Sequence, residues 1–312
     1  MQVHKDIERL PPFTNAVITI GTFDGVHLGH QKILSQLKEE ARRRDGETVI
    51  ITFHPHPRVV VRPEQDPPRL INTIPERIEL LNRHGIDHLV IVPFTDAFSR
   101  LSAREYVEQF LTARFQPQCV IIGYDHRFGH DRKGDYLLLE EYGRRRSFEL
   151  REIPQHVISH IAVSSTQIRN AISDGDAAKA NSLLGYDFFF SGTVVTGDQR
   201  GRTIGYPTAN IKVGNPEKLL PGNGIYAVMA SLNPADEQGS LQGMMSIGTR
   251  PTFDGVDNRI EVNLFDFHQD IYDKPLKVWV KQFLRPELKF NGVNELRDQI
   301  AADQRDALRL LN

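Results

Sequence analysis

The sequence predicts an α/β fold: a doubly wound parallel sheet, followed by a small antiparallel β-barrel with a C-terminal helix. Three observations lead there. Through the first half, short apolar runs rich in β-branched residues alternate with longer stretches of helical period, as strands of a parallel sheet covered on both faces do. From about residue 187 the texture becomes strand, glycine-rich turn, strand, which suits a small barrel or sandwich. No internal repeat or low-complexity linker separates the two textures, so two closely joined domains are expected, 1–185 and 186–312.

The first-half strands are "NAVITIG" (15–21), "TVIITF" (48–53), "HLVIVPF" (88–94) and "CVIIGYD" (119–125), with helices near 29–44, 75–84, 102–114 and 135–146. In such sheets ligands bind at the carboxyl ends of the strands. Both "GTFDGVHLGH" (21–30) and "GYDHRFGH" (123–130) fall there. The arginine triplets 42–44 and 144–146 sit at helix ends, where they complement the dipole and are expected to face solvent. A last helix, "DAAKANSLLG", is expected to be capped by Asp174 and stopped by Gly185. The barrel strands are "FFFSGTVVTG", "GIYAVMASL", "GMMSIGT", "NRIEVNLFDF" and "LKVWVKQFL", closed by an amphipathic helix at about 293–310.

Composition excludes several classes. The 312 residues are 39% hydrophobic and 25% charged, ordinary for a globular chain. With 38 basic and 40 acidic side chains the formal charge is −2, so neither nucleic acid nor an acidic tail is indicated, and any anion must be held locally. Cys119, the only cysteine, excludes an intrachain disulfide and reads as a buried apolar residue in a reducing compartment. "MQVHKDIERLPPF" lacks the apolar core of a signal peptide, and no apolar run is long enough to span a bilayer. The expectation is a cytoplasmic protein acting on small molecules, with no nucleic acid, membrane or obligate protein partner.

The loop 21–30 has the chemistry of an anion site. A strand running through a glycine turn into a helix that starts near Gly29 aims free backbone N–H groups and the positive dipole end at the loop. His27 and His30, three apart, can face one side of the first turn and donate to phosphate oxygens. Gly25 and Gly29 admit close backbone approach. The lysine of a Walker loop is missing, and so is the G-x-G-x-x-G of dinucleotide binders, which speaks against a dehydrogenase reading. Zinc at His27/His30 would need further ligands that are not evident, and His126 with His130 reads as polar contacts. In "HPHP", His54 and His56 alternate with prolines that force an extended path.

The stretch "GTVVTGDQRGRTIGYPTAN" (192–210) is either a phosphate-wrapping loop or a glycine-rich hairpin turn; residue types alone leave both open. In "NRIEVNLFDF", Ile260, Val262 and Leu264 alternate with Glu261 and Asn263, so Glu261 lies opposite the apolar face, ordinarily a solvated place.

"GTFDGVHLGH" resembles the H-x-G-H signature of nucleotidylyltransferases. With "TFHPHP" (52–57), "IIGYDHRFG" (121–129), "SSTQIR" (164–169), "GYPTAN" (205–210), "GTRPTF" (248–253) and "FLRPELKF" (283–290), nearly the whole chain is similar to bacterial bifunctional riboflavin kinase/FMN adenylyltransferases. The resemblance implies that the first domain transfers AMP from ATP to FMN, giving FAD and pyrophosphate. FMN's phosphate is already ionised, so that step needs alignment and charge neutralisation rather than a base. It implies an ATP site of Gly21, Phe23, Asp24, Gly25, His27, Gly29, His30, Asp125, Gly129, Ser164, Ser165, Thr166 and Arg169, with His56 weakly attached. His27 and His30 would be catalytic and Arg169 would clamp the triphosphate. For the second domain it implies phosphorylation of riboflavin to FMN by ATP, with Glu261 as the base that takes the 5′-hydroxyl proton. Gly197, Gly201, Arg202, Gly205, Tyr206, Pro207, Asn210 and Arg285 would contact ATP or flavin, and Thr208 with Asn210 would hold Mg²⁺. His126 stands where the family usually has an aromatic residue.

Overall fold

A computed structural model describes residues 1–123, 126–146, 148–153, 163–252 and 255–312; Asp125 lies outside the described residues. The chain forms two compact units, Met1–Pro68 with Ile74–Ser164, and Arg69–Thr73 with Ser165–Asn312.

The first unit holds a six-stranded sheet: β1 (Gln2–His4), β2 (Val17–Ile20), β3 (Thr48–His54), β4 (His88–Pro93), β5 (Cys119–Gly123) and β6 (Glu149–Ile153). Every pair is parallel, in the order β1-β4-β3-β2-β5-β6. The inner strands are apolar without alternation because helices cover both faces, and Ile18, Ile50, Val90 and Val120 are all buried. The edge strands β1 and β6 escaped the sequence reading. One is three residues long, and the other, "ELREI", carries three charges in five residues, as a solvated edge can. From β2 the chain winds one way through β3 and β4, then returns to β2's other side for β5. That reversal makes the carboxyl ends of β2 and β5 a topological switch point, where such sheets bind ligands and where the loops 21–30 and 123–130 begin.

Helices Leu28–Arg43, Ile74–Arg83 and Tyr136–Arg146 fall where periodicity predicts them. The helical run near 102–114 comprises Ala103–Glu105, a π-helical Tyr106–Thr112 and Ala113–Phe115. It opens on a capping box of Ser102 and Glu105 and buries Tyr106, Val107, Phe110 and Leu111.

Three local expectations are corrected. The extended path of "HPHP" ends at His56, which caps a short helix Pro57–Val61 and accepts from Arg58 N–H at 3.2 Å. Proline at the first helical position already has the required φ and lacks only an N–H with no partner there. Arg44 does not face solvent: it bonds Glu149 and, at 3.2 Å, Glu40, whose carboxylate also takes Arg43 and Arg151. Glu40 is buried and needs that compensation, whereas Arg144 and Arg145 do face solvent, paired one turn away with Glu140 and Glu141. The cap of helix Ala177–Leu184 is Asp176, which accepts from Lys179 N–H at 3.1 Å. Asp174 belongs to the turn after helix Ser165–Ser173, which Gly175 makes at φ +79°. Gly185 closes the later helix in the left-handed region, as expected.

In the second unit, β7 (Phe189–Val195), β8 (Ala209–Lys212), β9 (Gly224–Ser231), β10 (Leu241–Thr252), β11 (Gly255–Leu264) and β12 (Pro275–Arg285) close a barrel in the order β10-β11-β8-β7-β12-β9. All its pairings are antiparallel. Helix Val293–Leu311 covers one face through Ala307, which packs with Ala227, Met244 and Phe265. Strand β8 was missed because its four residues continue directly from a turn signature.

The segment 69–73 is fastened to this unit by Lys218. Its buried ammonium donates to the carbonyls of Ile71 (2.7 Å) and Phe189 (2.8 Å) and lies 4.6 Å from the Phe188 ring centroid. These contacts offset the desolvation of the charge. Lys218→Met removes the donor and takes one hydrogen bond from each carbonyl. Its expected cost is about 1–3 kcal/mol, read as a lower urea midpoint of unfolding.

Candidate active sites

The first site grows out of β2. Gly21 N–H bonds Ile51 O at 3.0 Å, and the chain then turns through positive φ at Phe23 (48°), Gly25 (95°) and Val26 (35°). Phe23 and Val26 tolerate that region because both are buried and held by packing. The turn delivers His27 to the N-cap of helix Leu28–Arg43, where its Nδ1 accepts the His30 N–H at 3.3 Å. The two rings stack, centroids 3.7 Å apart and 17° from parallel, with Phe23 4.9 Å from His30. A side chain at position 29 would press on the His27 ring at 3.1 Å, so glycine there permits the stack. The buried His30 Nδ1 has no hydrogen-bond partner among the described residues.

Beneath the loop, buried Asp24 lies 3.6 Å from the Arg77 guanidinium, which donates to Thr52 Oγ1 at 3.3 Å. Thr52 in turn donates to Thr22 O at 3.1 Å. Sequence reasoning missed Arg77, although a signal existed: it shares a helix face with Leu80 and Leu81, where a charge is out of place. Burial first, then the positive charge of His27 and Arg77, hold the His30 imidazole well below its usual value. His30 is therefore neutral near pH 7 in the ligand-free protein.

That shift has a consequence for stability. His4 and His84 are also lowered, chiefly by burial. Below about pH 6.5 the unfolded chain takes up protons that these folded histidines refuse, so stability falls as pH drops, by at most about 1.4 kcal/mol per unit and group. Thermal unfolding at pH 7.5 and 5.5 checks this. The acid loss should shrink in His30→Gln, and an equal loss in both proteins would exclude His30 as a contributor.

At the second loop the His126 ring stacks on Phe128 (5.9 Å, 28°), which packs against Tyr106 at 5.1 Å. His126 thus joins an aromatic column. His130 lies apart, exposed beside Asp131. Gly129 packs on Ala103, where a side chain would come within 2.6 Å of backbone. Ser164 ends the first unit; Ser165, Thr166 and Arg169 stand on a helix of the second, with Arg169 Nε donating to Arg69 O at 2.8 Å.

In the second unit a cavity of about 360 Å³ opens between the barrel and its C-terminal helix. Its polar lining is Thr208, Ser246, Arg259, Glu261, Asn263, Arg285, Glu287 and Asp303, and its apolar wall includes Tyr206, Met244, Phe290 and Ile300. A smaller cavity of about 80 Å³ is lined by Arg202, Pro207, Val262, Leu264, Asp270 and Tyr272. Thr208 lines both. Alternation along β11 explains the division: Glu261 and Asn263 serve the larger space and Val262 and Leu264 the smaller.

Glu261 is opposite the apolar face as expected but is not a solvated residue. Its side chain is 25% exposed, bonds Arg259 at 2.8 Å, and sits in register with Asn210 on β8 and Ser246 on β10. Buried Asn263 donates to Pro207 O at 2.7 Å, fixing the turn that presents Thr208. The loop after β7 includes a short helix Arg200–Thr203, and Gly197 lies so close to Asn210 that a Cβ would meet its amide at 2.2 Å. Arg285 forms a fork–fork pair with buried Asp303 (2.8 and 2.6 Å), which also accepts from Gln299 at 2.9 Å. Asp303 is the second residue sequence reasoning missed; its signal is a carboxylate one turn from Ile300 and Ala307 on the packed face of the last helix.

Comparisons with known proteins follow the same two-part division. The FAD synthetase family model matches residues 11–167 and the riboflavin kinase family model residues 184–311. A bifunctional riboflavin kinase/FMN adenylyltransferase of Listeria monocytogenes is 40% identical, over 94% of this chain and 91% of its own. Its counterparts in Escherichia coli K12 and Bacillus subtilis are each 36% identical, with 94% of this chain and 92% of theirs covered. A crystal structure from Streptococcus pneumoniae, described as a macrolide-efflux protein, superposes with a TM-score of 0.85 at 32% identity, over 97% of each chain. Among the described residues of the present chain, no helix is long and apolar enough to cross a membrane.

Proposed function

We propose roles for individual residues from one premise: this chain belongs to the bifunctional riboflavin kinase/FMN adenylyltransferase family. It phosphorylates riboflavin to FMN with ATP, and it transfers AMP from ATP to FMN to give FAD and pyrophosphate. We assign adenylyl transfer to residues 1–185 and the kinase to 186–312, with cytoplasm as the setting, where both flavin and ATP are at hand.

For adenylyl transfer, the FMN phosphate attacks the α-phosphorus of ATP, and pyrophosphate leaves with the electrons of the broken bond. The protein's work is to hold polyphosphate against the N–H groups at the start of helix Leu28–Arg43 and to offset charge there. His27 and His30 meet the phosphates, while Arg77 supplies a fixed positive charge below them. The observation that supports this most is the buried, partnerless His30 Nδ1, a polar atom left over by the fold and available to a ligand. Gly21, Phe23, Asp24, Gly25 and Gly29 shape the cradle. Asp125, Gly129, Ser164, Ser165, Thr166 and Arg169 are assigned to the adenylyl-transfer reaction from their motifs.

For the kinase, Glu261 accepts the proton of the riboflavin 5′-hydroxyl as that oxygen bonds the γ-phosphorus, and ADP departs with the bridging oxygen. The apolar wall of the larger cavity suits the flavin ring, and Arg285, pinned by Asp303, borders it. Gly197, Gly201, Arg202, Gly205, Tyr206 and Pro207 frame the nucleotide side. Thr208 Oγ1 and Asn210 Oδ1, with Glu261 in register beside Asn210, form the hard-oxygen donor set that Mg²⁺ favours, so these residues fit the ion. When bound, Mg²⁺ draws charge from the phosphate oxygens of ATP.

Gly197→Ala tests where the kinase lies. Its methyl group displaces Asn210, and a shift of about 1 Å in such a site costs on the order of 10²-fold in rate. Chromatography of flavins should show FMN formation from riboflavin reduced to that extent, with FAD still made from added FMN. Undiminished FMN formation would remove the glycine loop from the kinase site.

A further inference from the structure

Arg259 leaves β11 two residues before Glu261, on the same face of the strand. Its guanidinium has two carboxylate partners. Nη2 donates to Glu261 Oε1 at 2.8 Å, and Nη1 lies 3.4 Å from Asp198 Oδ2. Asp198 follows Gly197 in the loop after β7, so one side chain spans from the strand of the proposed base to the loop proposed to meet the nucleotide. Arg259 and Asp198 are 38% and 40% exposed. Ion pairs that open to solvent add little to stability, so the bridge calls for another explanation.

We infer that Arg259 is a positioning residue of the riboflavin kinase step. It holds the Glu261 carboxylate toward the riboflavin 5′-hydroxyl and, through Asp198, links that orientation to the seating of the glycine loop. The inference rests on Glu261 being the base. A guanidinium suits the task because its rigid planar fork can serve two carboxylates at once, which a single ammonium on a flexible stem does poorly. Glu261 also shares its cavity with Glu287 and with Asp303, and Asp303 is already committed to Arg285. Among the described residues, Arg259 is therefore the cation paired with the base.

The test is steady-state kinetics of the full-length protein in both reactions. Arg259→Met should lower kcat for riboflavin phosphorylation about 10- to 100-fold while KM for riboflavin changes less than about twofold. Arg259→Lys should recover only part of that loss. Asp198→Asn should lower kcat less, and adding it to Arg259→Met should cost nothing more, because the two act through one link. FMN adenylylation, measured on the same preparations, should keep its parental rate and so certifies the fold. Unchanged kcat in Arg259→Met, a loss confined to KM, full rescue by lysine, or additive effects of the two substitutions would each overturn the positioning role. Active Glu261→Gln would instead overturn the base assignment beneath it.

Discussion

Glu261→Gln is expected to lower riboflavin phosphorylation by about 10³-fold, within the usual range for loss of a general base, while FMN is still converted to FAD. Glutamine keeps the shape of the side chain and an oxygen for the Arg259 hydrogen bond, so the cavity and the register with Asn210 persist. What goes is the capacity to take a proton. The 5′-hydroxyl would then attack without losing its proton to the protein, and the deficit should fall on kcat more than on KM. Time courses with riboflavin and ATP, set beside time courses with FMN and ATP, check it. Retained riboflavin turnover would show that Glu261 is structural and that another group, or water, receives the proton.

His30→Ala is expected to do the reverse, lowering FAD formation by about 10²- to 10³-fold, as loss of one preorganised donor does, with riboflavin phosphorylation untouched. The residue sits at the first turn of helix Leu28–Arg43, against the His27 ring and near Phe23. Alanine also leaves a void in that stack, so His30→Gln is the companion variant: it fills the space and retains a polar group without the imidazole. Loss in both variants assigns the effect to the ring. Loss in alanine alone would make His30 a packing residue. A single substitution that abolished both reactions in a folded protein would defeat the assignment of the two reactions to separate sites.

Much of this architecture is legible in the sequence because its causes are local. A strand buried on both faces must be mostly apolar and rich in β-branched residues, and β2 to β5 are. A loop that feeds free N–H groups into a helix start needs glycine and a small set of polar residues, and "GTFDGVHLGH" has them. The three-residue spacing of His27 and His30 implies one face of a turn, and their rings do stack. Edge strands β1 and β6 are less legible because pairing on one side only asks little of composition. Strand β8 is short enough that its partners β7 and β11 define it.

The sequence by itself determined the two fold types, the placing of the signature loops at strand ends and the residue kinds offered to phosphate, since each follows from periodicity or turn chemistry within about ten residues. Only the tertiary structure decided which charges meet. Arg77 lies under Asp24, Asp303 holds Arg285, Arg44 turns inward to Glu149, and Arg259 reaches Asp198. No helical or strand period encodes such pairs. Their partners come from separate elements, and a charge in a partly buried site takes whichever counter-charge the packed fold brings within reach, because in that setting desolvation makes an unmatched charge the costlier state.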